Sequence, residues 1–200
     1  MGLSSMDLSN PGLQNALIRL EIFGEAEKDF IGSSGAIQSL WDWMPRVPGR
    51  GTSYDSYFDY MMGERDANRL VPFLAWRRSD DAFVGGASFY EPSLTHRRVK
   101  IMHPWIVPEM RRSPMFTAMM AAMIRRASDW RARRVSWQVD TRNKPLRRAL
   151  ERMGVQQEGI LRSVARLNNG EWSDVAIHAL VQDEIREAAN RLETTLELVD

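Results

Sequence analysis

The chain has 200 residues, 44% of them hydrophobic and 26% charged, which suits one globular domain and excludes disordered or collagen-like classes. Its 27 basic and 26 acidic residues leave a formal charge of +1, so no global field commits it to nucleic acid or to an anionic membrane. It has no cysteine, which excludes disulfides, thiolate metal sites and an acyl-cysteine intermediate.

The opening residues are polar and rich in Ser, Asn, Gly and Pro, and read as a flexible arm over 1–15 before a first strand at Ala16–Ile22. Glu25–Trp43 carries a helical pattern broken by Gly32, Ser33, Ser34 and Gly35, and Pro45 and Pro48 end it. Tyr54–Arg69 sets Tyr54, Phe58, Met61 and Met62 at helical spacing, which predicts an amphipathic helix. Strands follow at Leu70–Arg77 and Ala82–Tyr90, joined by the turn Ser79–Asp81, and a turn at Glu91–His96 leads into the strand Arg97–Val107.

Ser113–Trp130 is the longest helical pattern, with a stripe of Met115, Met119, Met123 and Ile124 suited to core packing, and Arg125, Arg126 and Asp129 opposite. Val135–Val139 is a strand, Pro145–Met153 a helix closed by Gly154, and two strands flank an Asn168-Asn169-Gly170 turn. Asp183–Leu198 forms a C-terminal helix, a segment 183–200 that is a candidate homodimer contact. No apolar run is long enough to span a bilayer and no secretory signal pattern opens the chain, so a cytoplasmic location and no membrane partner are expected.

That order predicts an α/β (α+β) domain over 16–182, with a mixed, mostly antiparallel central sheet flanked by helices. The densest basic cluster is Arg125, Arg126, Arg131, Arg133 and Arg134, which suits either a phosphate or a solvated helix end. No base-reading motif accompanies it, so no nucleic-acid partner is expected.

Several segments together carry a family resemblance: Val135–Asn143 (VSWQVDTRN), Arg147–Gly154 (RRALERMG), Glu158–Arg162 (EGILR) and Asn169–Asp174 (NGEWSD), supported by Leu40–Pro45 and Pro108–Arg111. Over about 16–182 the chain resembles the GNAT superfamily of N-acetyltransferases, in its RimJ/RimL-like branch. The resemblance implies the GNAT fold, acetyl-CoA as co-substrate, no metal, and a protein or small-molecule amine as acceptor. It also implies that strand Arg97–Val107 splays from strand Val135–Asp140 to expose a strand edge to the pantetheine arm. Pro104, which has no N–H, fits a bulge or the end of pairing there.

The implied cofactor-binding residues are Ile106 and Val107 on the strand, Arg111, Arg112, Ser113, Met115 and Phe116 at the start of the long helix, and Asn143. The family's glycines are missing from Arg111-Arg112-Ser113-Pro114-Met115-Phe116, and residues with a Cβ follow positive-φ geometry only at a cost. Leu146 and Ala165 stand where relatives place a serine and a carboxylate. Candidate catalytic residues are His103, Asn143 and Glu91, with Asp140 as polar support and Trp41, Trp43 and Tyr54 as an acceptor mouth or as core. Two readings stay open: an amine acetyltransferase working by direct attack, and a degenerate, non-catalytic binding module.

Overall fold

The computed structural model describes residues 8–34 and 53–198. Among these residues, eight strands form one sheet in the order β1-β2-β3-β4-β5-β6-β8-β7. They are β1 (Leu13–Gln14), β2 (Ile18–Ile22), β3 (Leu70–Arg77), β4 (Phe83–Ser93), β5 (Arg98–Ile106), β6 (Arg134–Asp140), β7 (Gln156–Arg166) and β8 (Trp172–Val181). Every pairing is antiparallel except β5 with β6. Among the described residues, five α-helices flank the sheet: α1 (Lys28–Ser33), α2 (Tyr54–Asp66), α3 (Met115–Asp129), α4 (Lys144–Arg152) and α5 (Asp183–Glu197). This is the mixed, mostly antiparallel sheet flanked by helices that the element order predicts.

Helix α3 makes the parallel crossover between β5 and β6 and is buried almost all round, by the sheet on one side and by α5 on the other. The methionine stripe is core: Met115, Met119, Met120 and Met123 are all buried. Ile185, Ala188, Ala189, Leu192 and Leu196 of α5 lie in the same cluster, so the apolar side of the terminal helix is used within the chain and is not left for a second subunit. The opposite face of the sheet carries α1 and α2, whose Ile31, Tyr57, Phe58, Met61 and Met62 pack on Leu70 and Leu74.

Two boundaries differ from expectation, and one expected element falls outside the described residues. Within 8–14, read as part of a flexible arm, the chain is anchored at two points: Leu8 and Leu13 are buried, and Leu13–Gln14 pairs with β2. Helix α1 ends at Ser33, at the expected break, and the second half of that pattern, including Trp41 and Trp43, lies outside the described residues. Strand β4 runs through the expected turn to Ser93, so Glu91 is a strand residue, held at φ 48°.

The sheet opens between its two central strands. β5 pairs with β6 only over Arg98–Lys100 and Arg134–Ser136, after which they part. On its other side β5 stays bonded to β4 but is bulged, because Gly86 faces Trp105 while Ser88 faces Met102. The extra residue falls at His103–Pro104, and His103 takes the strain at φ 52°, a left-handed conformation that costs a non-glycine residue about 1–2 kcal/mol. Beyond the bulge, β4 can approach only because it is glycine there: a Cβ on Gly85 would sit 2.2 Å from the Trp105 carbonyl oxygen, and one on Gly86 2.7 Å from that of Phe73.

Candidate active site

A cleft of about 690 Å³ begins where β5 and β6 part. Its floor is Pro104, Trp105 and Ile106, one wall is Arg111, Arg112, Ser113, Phe116 and Thr117, and the other is Asn143, Lys144, Pro145, Leu146, Arg148, Ala149 and Arg152. Among the described residues, five cations line it and no carboxylate does. No ion pair holds Arg112, Lys144, Arg148 or Arg152 among the described residues.

Backbone parity decides what the floor offers. The Val107 N–H donates to the Val84 carbonyl at 2.9 Å, on the β4 side. Along a strand successive N–H groups alternate in direction, so the Ile106 N–H turns away from β4, toward the opening. Val107, expected among the cofactor contacts, is instead buried with its donor spent.

The loop before α3 keeps a glycine-like backbone without glycine. Arg112 has φ 64°, and α3 starts behind Pro114 with its first turn facing the cleft. The early N–H groups of a helix have no carbonyl partner within it, which suits this end to an anion. Two expected donors are committed elsewhere. The Ser113 hydroxyl donates to the Met110 carbonyl at 2.6 Å and accepts from the Met115 N–H at 3.3 Å. Met115 is itself a buried core residue. Arg111, Arg112 and Phe116 remain on the wall as expected.

Asn143 lines the cleft as the N-cap of α4, its Oδ1 accepting from the Leu146 N–H at 3.2 Å. Its Nδ2 donors and the second lone pair of its Oδ1 have no partner among the described residues. Asp140, at the end of β6, is support. Burial pushes its carboxyl up, but hydrogen bonds from Arg142 and from the Ser173 hydroxyl (2.6 Å) outweigh that and hold it below the usual carboxylate range.

The other two catalytic candidates do not line the cleft. Glu91 sits at the closed end, beyond the Tyr90–Lys100 pairing, and its carboxylate is held by Lys100 at 2.6 Å. His103 packs edge-to-face on Tyr57 of α2, with ring centroids 5.5 Å apart. The residue keeps some exposure, but its Nδ1 is buried without a partner and desolvation lowers its pKa to about 4. Tyr54, a candidate for the acceptor mouth, donates to the Lys28 carbonyl at 2.8 Å and packs on Phe58, tying α2 to α1.

The basic cluster read from the sequence is largely spent on the fold. Arg125 bonds Glu193 and Asn190 of α5, Arg126 the carbonyl of Asn10, and Arg134 the carboxylate of Glu158. The cations that do line the cleft from α4, namely Lys144, Arg148 and Arg152, went unread, as did Trp105 and Thr117. Their spacing of four along a helix was the available signal.

Residues 36–155 match the model of the acetyltransferase (GNAT) family. The chain belongs to that family. Among solved structures, a GCN5-related N-acetyltransferase from Brucella melitensis superposes with a TM-score of 0.76 at 18% identity, covering 90% of this chain and 83% of its own. Mycobacterium smegmatis RimJ, solved in complex with CoA-disulfide, gives 0.74 at 22% identity, covering 89% and 88%. Spermidine N-acetyltransferase from Vibrio cholerae, in complex with CoA and spermine, gives 0.70 at 16% identity, covering 86% and 99%. At these identities the likeness is one of GNAT fold. No curated protein sequence matches the chain.

Proposed function

We propose that the protein is an acetyl-CoA-dependent N-acetyltransferase of the RimJ/RimL-like kind, transferring acetyl to a protein N-terminal α-amine or a small-molecule amine by direct attack in a ternary complex. The observation that carries this is the cationic cleft at the parting of β5 and β6, with the Ile106 N–H turned into it. Bound acetyl-CoA supplies an activated thioester, from which a neutral amine takes the acetyl group and frees the thiol.

The residues present fit such a ligand. Arg111, Arg112 and the first turn of α3 would hold the pyrophosphate, and the edge of β5 would face the amide-bearing arm. The Ile106 N–H would polarise the thioester carbonyl as charge develops on its oxygen. The Trp105 ring lies against Gly86, where a Cβ would sit 3.2 Å from its Nε1, and fills that part of the floor.

One observation favours a second reading, a non-catalytic cofactor-binding module: among the described residues, no carboxylate and no histidine lines the cleft. The choice of acceptor answers it. An α-amine with a pKa near ~7.8 is roughly one-tenth neutral at pH 7, whereas a lysine is only about 0.04% neutral. An α-amine therefore needs no strong base. Calorimetric titration with acetyl-CoA, followed by transfer assays on peptides with free N-termini and on polyamines, tests both readings. Micromolar binding with transfer to one class supports the enzyme; binding without transfer supports the module; no binding at millimolar acetyl-CoA overturns both.

A further inference from the structure

Helix α4 breaks the ordinary rules of helix charge. Its nine residues carry Lys144, Arg147, Arg148 and Arg152 against Glu151, and Lys144 is its first residue, where the helix dipole disfavours a cation. No acid stands in its first turn. Lys144, Arg148 and Arg152 follow each other at spacings of four, so each sits within reach of the next like charge. Such local conflicts concentrate at functional sites. Arg147 shows the alternative: it bonds the Thr141 carbonyl and Gln157, and it does not line the cleft. Arg152, at the far end, also borders a hollow containing Glu184 and Glu187 and pairs with neither.

The stripe spans about 12 Å at ~1.5 Å per residue, on the wall opposite Arg111 and Arg112. One phosphate group cannot sit on both walls and along the whole stripe. The arrangement calls for a ligand with two anionic groups set apart, one at the start of α3 and one along α4. We propose that Lys144 and Arg148, extended by Arg152, form a separate subsite for the ribose 3′-phosphate of CoA, so that the protein discriminates CoA from dephospho-CoA. This rests on the cofactor reading above and adds a specificity that the reading does not require. Exposed cations bind a phosphate chiefly as charges, so the contact is salt-dependent.

The test is calorimetric titration of the intact protein with CoA and with dephospho-CoA, for the natural chain, a Lys144→Gln/Arg148→Gln variant and an Arg125→Gln control. The natural chain should bind CoA at least about tenfold more tightly than dephospho-CoA, as charged hydrogen bonds to one phosphate allow. The double variant should bind both ligands alike, with the dephospho-CoA affinity of the natural chain, while the control keeps the preference. Equal binding of the two ligands by the natural chain overturns the subsite and leaves the cofactor reading standing. A double variant weakened equally toward both ligands also overturns it, since the stripe would then act as a general field. Binding of neither ligand overturns the cofactor reading itself.

Discussion

Two basic regions of this molecule look alike in sequence and differ in structure. Around the end of α3, Arg125, Arg126 and Arg134 each have partners within the chain, in Glu193 and Asn190, the Asn10 carbonyl, and Glu158. Around the cleft, Arg112, Lys144, Arg148 and Arg152 have no ion pair among the described residues. The same contrast holds in the backbone, where the Val107 N–H is bound to Val84 and its neighbour Ile106 points the other way. What separates a structural cation or donor from a functional one is whether the fold has already used it, and density along the chain does not report that.

The largest expected effect breaks the contrast in the backbone. Ile106→Pro removes an N–H turned to the opening and leaves the β4 ladder bond of Val107 in place. Acetyl transfer at saturating cofactor should fall about hundredfold or more, the usual loss for one oxyanion donor, with little change in melting temperature. Unchanged transfer would mean that another group stabilises the oxygen.

Arg125→Ala tests the other side of the contrast. Its bidentate contact with Glu193 ties α3 to α5, and the two side chains are 28% and 34% exposed. Between the small value of an exposed pair and the larger cost of breaking a buried one, the loss should be about 2 kcal/mol, or roughly 4–8 °C in melting temperature for a chain of this size. Affinity for CoA should not move; a large drop would return the cluster to the cofactor site.

Asn143 belongs to both classes, and two substitutions separate its roles. Asn143→Ala loses the cap on α4 and should cost about 1 kcal/mol of stability together with turnover. Asn143→Asp keeps an oxygen for the Leu146 N–H but has no amide donor. Stability retained with turnover lost would assign the Nδ2 group to the ligand; loss of neither would make Asn143 a cap alone.

Much of the fold was legible because it rests on periodicity and on residues with hard constraints. The meander, the methionine-rich α3 and the Gly154 stop follow from spacing, and Pro104 pointed to a bulge because it cannot donate. The site was less legible for three physical reasons. Parity separates Ile106 from Val107, and only the observed register fixes parity. The left-handed conformations of His103 and Arg112 are imposed by tertiary pairing on residues that do not prefer them. Lys144, Arg148 and Arg152 share a face that any helical reading could draw, but which neighbour that face meets depends on where α4 packs.

The smallest effect concerns His103, whose burial against Tyr57 makes it a group the fold has used. Its pKa is depressed from 6.5 to about 4, so between those values the unfolded chain binds a proton that the folded chain refuses. Stability should therefore rise with pH across that window and fall as pH drops through it. His178, buried and also lowered by desolvation, contributes in the same direction. His103→Asn removes one titrating ring while tolerating the left-handed backbone, and should flatten part of the slope, leaving the rest to His178 and, toward pH 4, to carboxylates such as Glu64 and Glu158 that their arginine partners hold low. The same substitution decides the catalytic question. A base with a pKa near 4 is already unprotonated above pH 5, so the rate profile there should follow the amine alone and should keep its shape in His103→Asn. An inflection between pH 6 and 7 that vanishes in the variant would mean that His103 takes up protons in the working enzyme, and the boundary between used and unused groups would have to be redrawn to put it in the site.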